Sequence, residues 1–163
     1  MTSWNDLHAA APEFAAACRA RIERDGIALL ASLRADGFPR VSGVEPLFHA
    51  GELTIGMMPG SRKALDLRRD PRCALHAATT DKEVAAGDVK LTGRAREVTR
   101  GTELDAYLTA LHAVTGWAPA PAAFHLFFID LVDVTRVLIE DGAMHLDTWR
   151  PEHGLTRTTR RDD

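Results

Sequence analysis

The apolar and polar positions divide the chain into short segments whose period changes repeatedly. Between Pro12 and Asp25, the residues Phe14, Cys18 and Ile22 recur at a spacing that puts them on one side of a helix, and Gly26 stops it. Ile27-Ala28-Leu29-Leu30-Ala31-Ser32-Leu33 is almost continuously apolar and too short for a lone helix, which predicts a buried strand. Ala35-Asp36-Gly37-Phe38-Pro39 is turn chemistry, because Asp-Gly accepts the positive φ of a tight hairpin. A strand from Arg40 to His49 follows, and Gly43 and Pro46 within it predict a bulge or bend. Ala50-Gly51 turns the chain into a further strand, Glu52 to Met57.

After Pro59-Gly60 the period changes. Ser61 can cap a short helix running to about Asp70, with Ala64, Leu65 and Leu67 apolar, and Pro71 ends it. Arg72–Ala78 and Asp88–Val98 read as strands around a polar loop at Thr79–Gly87. Leu104, Tyr107, Leu108 and Leu111 give Gly101–His112 an amphipathic helical spacing. Gly116–Pro121 is a connector, Phe124–Ile139 a long strand, and Ala143–Trp149 its antiparallel return across Glu140-Asp141-Gly142. Pro151–Asp163 is polar and reads as a peripheral tail. Six or seven strands joined mostly by hairpins predict a mainly β fold, an antiparallel barrel with short peripheral helices. A doubly wound sheet would need strands alternating regularly with helices.

Composition narrows the classes. A chain of 163 residues, 45% hydrophobic and 26% charged, suits a single domain over its whole length, with the barrel at about 27–149. The net charge of -3 argues against nucleic-acid or anionic-membrane partners. No apolar run reaches the roughly 20 residues that span a bilayer, and Met1–Ala11 lacks a signal-peptide pattern, so a cytoplasmic location is expected. Cys18 and Cys73 fit a reducing compartment, with a long-range disulfide as the alternative, and neither stands in a zinc-binding spacing. The histidines form no close pair, so no metal site is expected. Ser32, Ser42 and Ser61 lack a nucleophile-elbow context.

The informative segment is Gly56-Met57-Met58-Pro59-Gly60-Ser61-Arg62-Lys63, where a strand gives way to a helix. A helix amino end carries partial positive charge and unpaired N–H groups, so basic residues are disfavoured in its first turn. Arg62 and Lys63 stand there nevertheless. One reading is a phosphate held by the helix end, the Ser61 hydroxyl and the two cations. The other is a solvated helix start with two surface cations. Two readings also attend Met57 and Met58, core packing or contact with a flat ring, and His76 and His125, packed histidines or haem ligands. Arg68, Arg69 and Arg72 read as a solvated helix face rather than a nucleic-acid stripe, and Trp149 as closing an edge of the barrel or a dimer.

The stretch resembles the pyridoxamine 5′-phosphate oxidase-like family of FMN-binding split barrels. Their Ser-Arg-Lys after a strand and helix ending in Asn/Asp-Pro are matched by Ser61-Arg62-Lys63 and Asp70-Pro71. Asp36 to Val44 is similar to the family's hairpin and flavin strand, and Val89 to Ala95 to the strand with an inner glycine; the likeness covers roughly Ile22 to Trp149. The resemblance implies that Ser61, Arg62 and Lys63 hold the cofactor phosphate. Arg40, Val41 and Ser42 would then lie along the ring and ribityl chain, and Gly56 and Met57 would give backbone contacts. Asp88 falls where these oxidases have a cofactor-contacting glutamine. It further implies a homodimer with the cofactor at the subunit interface. Glu45 departs from the family, whose vitamin-processing oxidases carry a lysine there, and a carboxylate repels a phosphorylated substrate. The function implied is a flavin-dependent oxidoreductase acting on a small organic molecule other than the vitamin phosphate. The alternatives are a deazaflavin coenzyme in place of FMN, and a non-catalytic protein that sequesters flavin, deazaflavin or haem.

Overall fold

The computed structural model describes residues 1–120 and 124–161. Pro121 of the predicted connector and Asp162 and Asp163 of the predicted tail lie outside the described residues. Two helices lead the chain, α1 (Trp4–Ala10) and α2 (Pro12–Glu23). Ser3 and Asp6 close a capping box over the first turn of α1, in a segment for which the pattern predicts no element. Pro12 opens α2, where its missing N–H costs nothing.

The strands and remaining helices follow as β1 (Ala28–Leu33), β2 (Pro39–Val44), β3 (Pro46–His49), β4 (Glu52–Met57), α3 (Arg62–Arg69), β5 (Arg72–Ala77), β6 (Asp88–Val98), α4 (Thr102–Thr115), β7 (His125–Glu140), β8 (Ala143–Arg150) and β9 (Gly154–Arg161). All pairings are antiparallel, in the order β2-β1-β5-β6-β7-β4-β3. The long β7 pairs with β4 through His125–Phe128 and with β8 through Val134–Glu140, so β8 and β9 extend the sheet from its far half. β2 and β3 stand at opposite ends of the path yet are joined by Glu45 alone. The sheet must therefore curl until its ends meet, and no β2–β3 ladder closes it. It is an antiparallel barrel with short helices around it, as the pattern predicts, and it is split, as the resemblance implies.

Among the described residues there are nine strands rather than six or seven, for two reasons. The predicted Arg40–His49 strand divides at Glu45, next to Pro46, which has no N–H to give a ladder. The predicted tail is the other source: Gly154–Arg161 pairs residue by residue with β8. It is an edge strand, and its exposed threonines and arginines blunt that edge. The strand predicted as buried at Ile27–Leu33 also needs correcting. Ala28, Leu30 and Ser32 face the core, whereas Ile27 and Leu29 are 47% and 42% exposed. Its unbroken apolar run reflects two apolar faces, only one of them covered within the subunit.

The core joins Leu30, Ile55, Leu75, Leu91, Phe127 and Ile129 of the sheet to Phe14, Cys18 and Ile22 of α2 and to Ala64 and Leu67 of α3. A smaller cluster of Leu104, Tyr107, Phe124, Leu126 and Phe128 sits under α4. Gly93 lies at the register shift between β6 and β7, where a Cβ would come within 2.7 Å of Ile129 and 2.8 Å of the Asp130 carbonyl. Both cysteines are buried and unpaired, and burial pushes each thiol up to about 12, so they act as small core residues.

Candidate functional site

Strand β4 ends at Met57, and Met58 to Ser61 swing the chain into α3. Ser61 has extended backbone, and its hydroxyl oxygen accepts the Ala64 N–H at 3.4 Å. The first turn of α3 holds no acidic residue, so the cationic side chains and the positive helix end add. Lys63 Nζ donates to the Gly43 carbonyl at 3.3 Å. Arg62 is exposed and has no carboxylate partner among the described residues. It lines a hollow of about 410 Å³ with Arg34, Arg40 and Arg69 opposed only by Asp36 and Asp66. The hollow therefore carries an excess of positive charge.

Asp66 organises one wall of that hollow from inside the fold. It is 4% exposed and accepts Arg40 Nε at 2.6 Å, Arg69 at 3.3 Å and the Ser32 hydroxyl at 3.4 Å. Burial raises the Asp66 carboxyl, but the hydrogen bonds from Arg40 and Arg69 outweigh it and hold the group below its ordinary value. Asp66 thus tethers Arg40, on β2, to the helix that carries Arg62.

The turn before α3 is tethered by groups that are remote in sequence. The Gly60 N–H donates to His125 Nε2 at 3.1 Å, which makes that nitrogen an acceptor. Nδ1 then carries the proton and donates to Glu97 Oε1 at 2.8 Å. Glu97 also takes both arms of Arg68, at 2.6 and 2.8 Å. Burial raises the Glu97 carboxyl, and its bonds to Arg68 and His125 lower it further than burial raises it. No local pattern announces Glu97 and His125 as supports, since the β4–β7 and β6–β7 pairings together bring them to the turn.

The other predicted site residues divide. Arg40 and Ser42 alternate with Val41 along β2, and Val41, 67% exposed, faces the open side of the sheet. The β3–β4 ladder ends at Pro46↔Ile55, so Gly56 and Met57 are paired on the β7 side only, through Leu126 and His125. Met57 is 2% exposed and packs in the core, while Met58 is 71% exposed. A Cβ on Gly56 would meet Phe124 at 2.3 Å and the Tyr107 hydroxyl at 2.7 Å, so only glycine fits there. Asp88 does not join the Arg62 hollow. Its carboxylate takes the Thr79 hydroxyl and pairs with His76 Nε2 at 3.0 Å, at the start of β6.

Two further readings change. Arg68, Arg69 and Arg72 do not form a free solvated face: they pair with Glu97, Asp66 and Asp70. Hydrogen bonds from Arg72 bring Asp70 down to about 2. Both ring nitrogens of His125 are engaged, and those of His76 face the Ala77 carbonyl and Asp88. Either histidine would lose an existing bond in ligating haem iron.

A family model described as pyridoxamine 5′-phosphate oxidase matches residues 14–139. No curated protein matches the chain. Among solved structures, a pyridoxamine 5′-phosphate oxidase-related, FMN-binding protein from Nostoc punctiforme is similar at TM-score 0.65 and 14% identity, over 93% of this chain and 96% of that one. A haem-binding protein from Mycobacterium smegmatis is similar at TM-score 0.61 and 23% identity, over 84% of this chain and 58% of that one. A structure named F420 reductase is similar at TM-score 0.57 and 17% identity, over 71% of this chain and 94% of that one. These likenesses show a shared fold.

Proposed function

The chain belongs to the pyridoxamine 5′-phosphate oxidase family, and we propose that it is a flavin-dependent oxidoreductase acting on a small organic substrate. One observation carries the reading: among the described residues Arg62 stands without a carboxylate, at a helix amino end that has no acid in its first turn. The side chains around it fit a phosphate-bearing group. Arg62 and Lys63 supply cations, Ser61 the cap hydroxyl, and Arg40 a further guanidinium on the wall of the same hollow. A flavin, when bound, supplies hydride or electron-pair chemistry, and the protein holds and orients it. FMN is the cofactor proposed, with a phosphate-bearing deazaflavin as the alternative that the same cations would hold.

The uncovered side of the sheet supports a homodimer with the cofactor at the subunit interface. Leu29 and Val41 are 42% and 67% exposed there, beside a hollow of about 460 Å³, and Val132, 47% exposed, lines an adjoining hollow of about 390 Å³. Exposed apolar side chains grouped on one face in this way are normally covered by a partner. Val41 on that face and Arg40 on the other put the two halves of the proposed cofactor site on one strand.

The test is the absorbance spectrum of the purified protein, followed by titration with FMN, a deazaflavin and haem. Saturable FMN or deazaflavin binding that Arg62→Ala with Lys63→Ala weakens at least tenfold supports the reading. Tight haem binding with a sharp Soret band, or flavin affinity untouched by the double substitution, would overturn it.

A further inference from the structure

A cavity of about 490 Å³ opens at the seam of the barrel, between α4 and the β3–β4 edge. Its size suits a small molecule. Glu45, the residue joining β2 to β3, is the one charged side chain lining it among the described residues. Glu45 is exposed and takes part in no ion pair among the described residues. Its charge has no internal compensation.

Facing Glu45 is a cluster of aromatic rings. Phe124 stacks on Tyr107 with centroids 5.8 Å apart, and Trp117 meets Phe124 edge to face at 5.7 Å. The bare Gly56 backbone makes room for Tyr107 and Phe124, since any side chain there would collide with both. Burial, and then the nearby Glu45 charge, push the Tyr107 hydroxyl up to about 12, so it remains neutral. Leu111 completes the wall on the α4 side. Aromatic faces attract cations, and an uncompensated carboxylate attracts them further while repelling anions.

We propose that this cavity binds a small organic cation, an ammonium group on an apolar or aromatic body, with its head at Glu45 and its body among Tyr107, Trp117 and Phe124. Gly56 lines the cavity and is also a proposed cofactor contact, so the cation would lie beside the cofactor. Its role as substrate rests on the flavin reading, whereas its binding does not.

Trp117 reports occupancy, because it is 50% exposed while Trp4 and Trp149 are buried. The full chain, with and without FMN, is titrated with benzylamine, benzyl alcohol and benzoate while tryptophan fluorescence is followed. Calorimetry repeats the titrations independently of that signal. Benzylamine is expected to bind saturably, benzyl alcohol at least tenfold more weakly, and benzoate not at all. Glu45→Gln should bring benzylamine down to the level of benzyl alcohol, a loss of about 1.4 kcal/mol for tenfold, and leave benzyl alcohol unchanged. Since Glu45 is exposed and makes no ion pair, this variant keeps the fold, which circular dichroism checks. Equal affinity for benzylamine and benzyl alcohol, preference for benzoate, no saturable benzylamine binding, or an unchanged affinity in Glu45→Gln would each overturn the proposal. Benzylamine binding in a protein that takes neither FMN nor a deazaflavin would sink the proposed function and leave this inference standing.

Discussion

The two ends of α3 are both rich in cations and differ in what meets them. At the carboxyl end Arg68 and Arg69, with Arg72 just beyond, each meet a carboxylate, and their charge also suits the negative end of the helix. At the amino end Arg62 and Lys63 add to charge of their own sign, and neither meets a carboxylate among the described residues. Residue type is therefore a poor guide to role within this helix. What separates a paired arginine from one proposed to bind is whether an acid lies within reach. Asp66 of the helix itself and Glu97 of β6 supply one at the carboxyl end, and nothing described does so at the other.

Four experiments break or sharpen that contrast. The largest effect should follow Asp66→Ala, which leaves the Arg40 and Arg69 charges without their buried partner. A loss of about 3 kcal/mol in urea unfolding is expected, and a change under about 0.5 kcal/mol would mean that the pairing is incidental. Arg62→Ala should do the reverse. Stability should stay within about 0.5 kcal/mol, while FMN affinity should fall roughly 10- to 100-fold, as for loss of a charged hydrogen bond. Acid should act on the paired carboxylates of the structural set. Asp66 and Glu97 are held below their ordinary values of 3.8 and 4.5, so the stability they supply is complete above those values. It is lost as pH falls through the lower values they hold in the fold. Melting curves should accordingly be flat above about pH 5 and fall steeply below pH 4, more steeply than in Glu97→Gln. The smallest effect belongs to Arg68→Ala, whose pair is half exposed. It should cost at most about 1 kcal/mol and leave FMN affinity within twofold; a large loss of affinity would erase the distinction between the two ends.

Much of this was legible in the chain. The Ser61 cap, the stop before Pro71 and the hairpin turns were readable because each depends on neighbours within a few residues. Asp141 and Gly142 indeed adopt positive φ at 51° and 70°. The strand at Gly154–Arg161 was not readable, since a polar edge strand has no apolar face to announce it and exists by pairing with β8. The same limit applied to Asp88, whose bonds to Thr79 and His76 follow from where the neighbouring loop and strand lie.

Local order and the excess of cations at the start of α3 were determined by the sequence itself, because capping, turn chemistry and helix electrostatics act over a single turn. Which cations remain without a partner was decided only in the tertiary structure. Arg40 and Asp66 are 26 residues apart, and His125 and Glu97 are 28 apart, so helix packing brings the first pair together and β6–β7 pairing the second. Closure of the path at Glu45 likewise set an unpaired carboxylate opposite three rings. That arrangement depends on where the two ends of the sheet meet, and no local pattern encodes it.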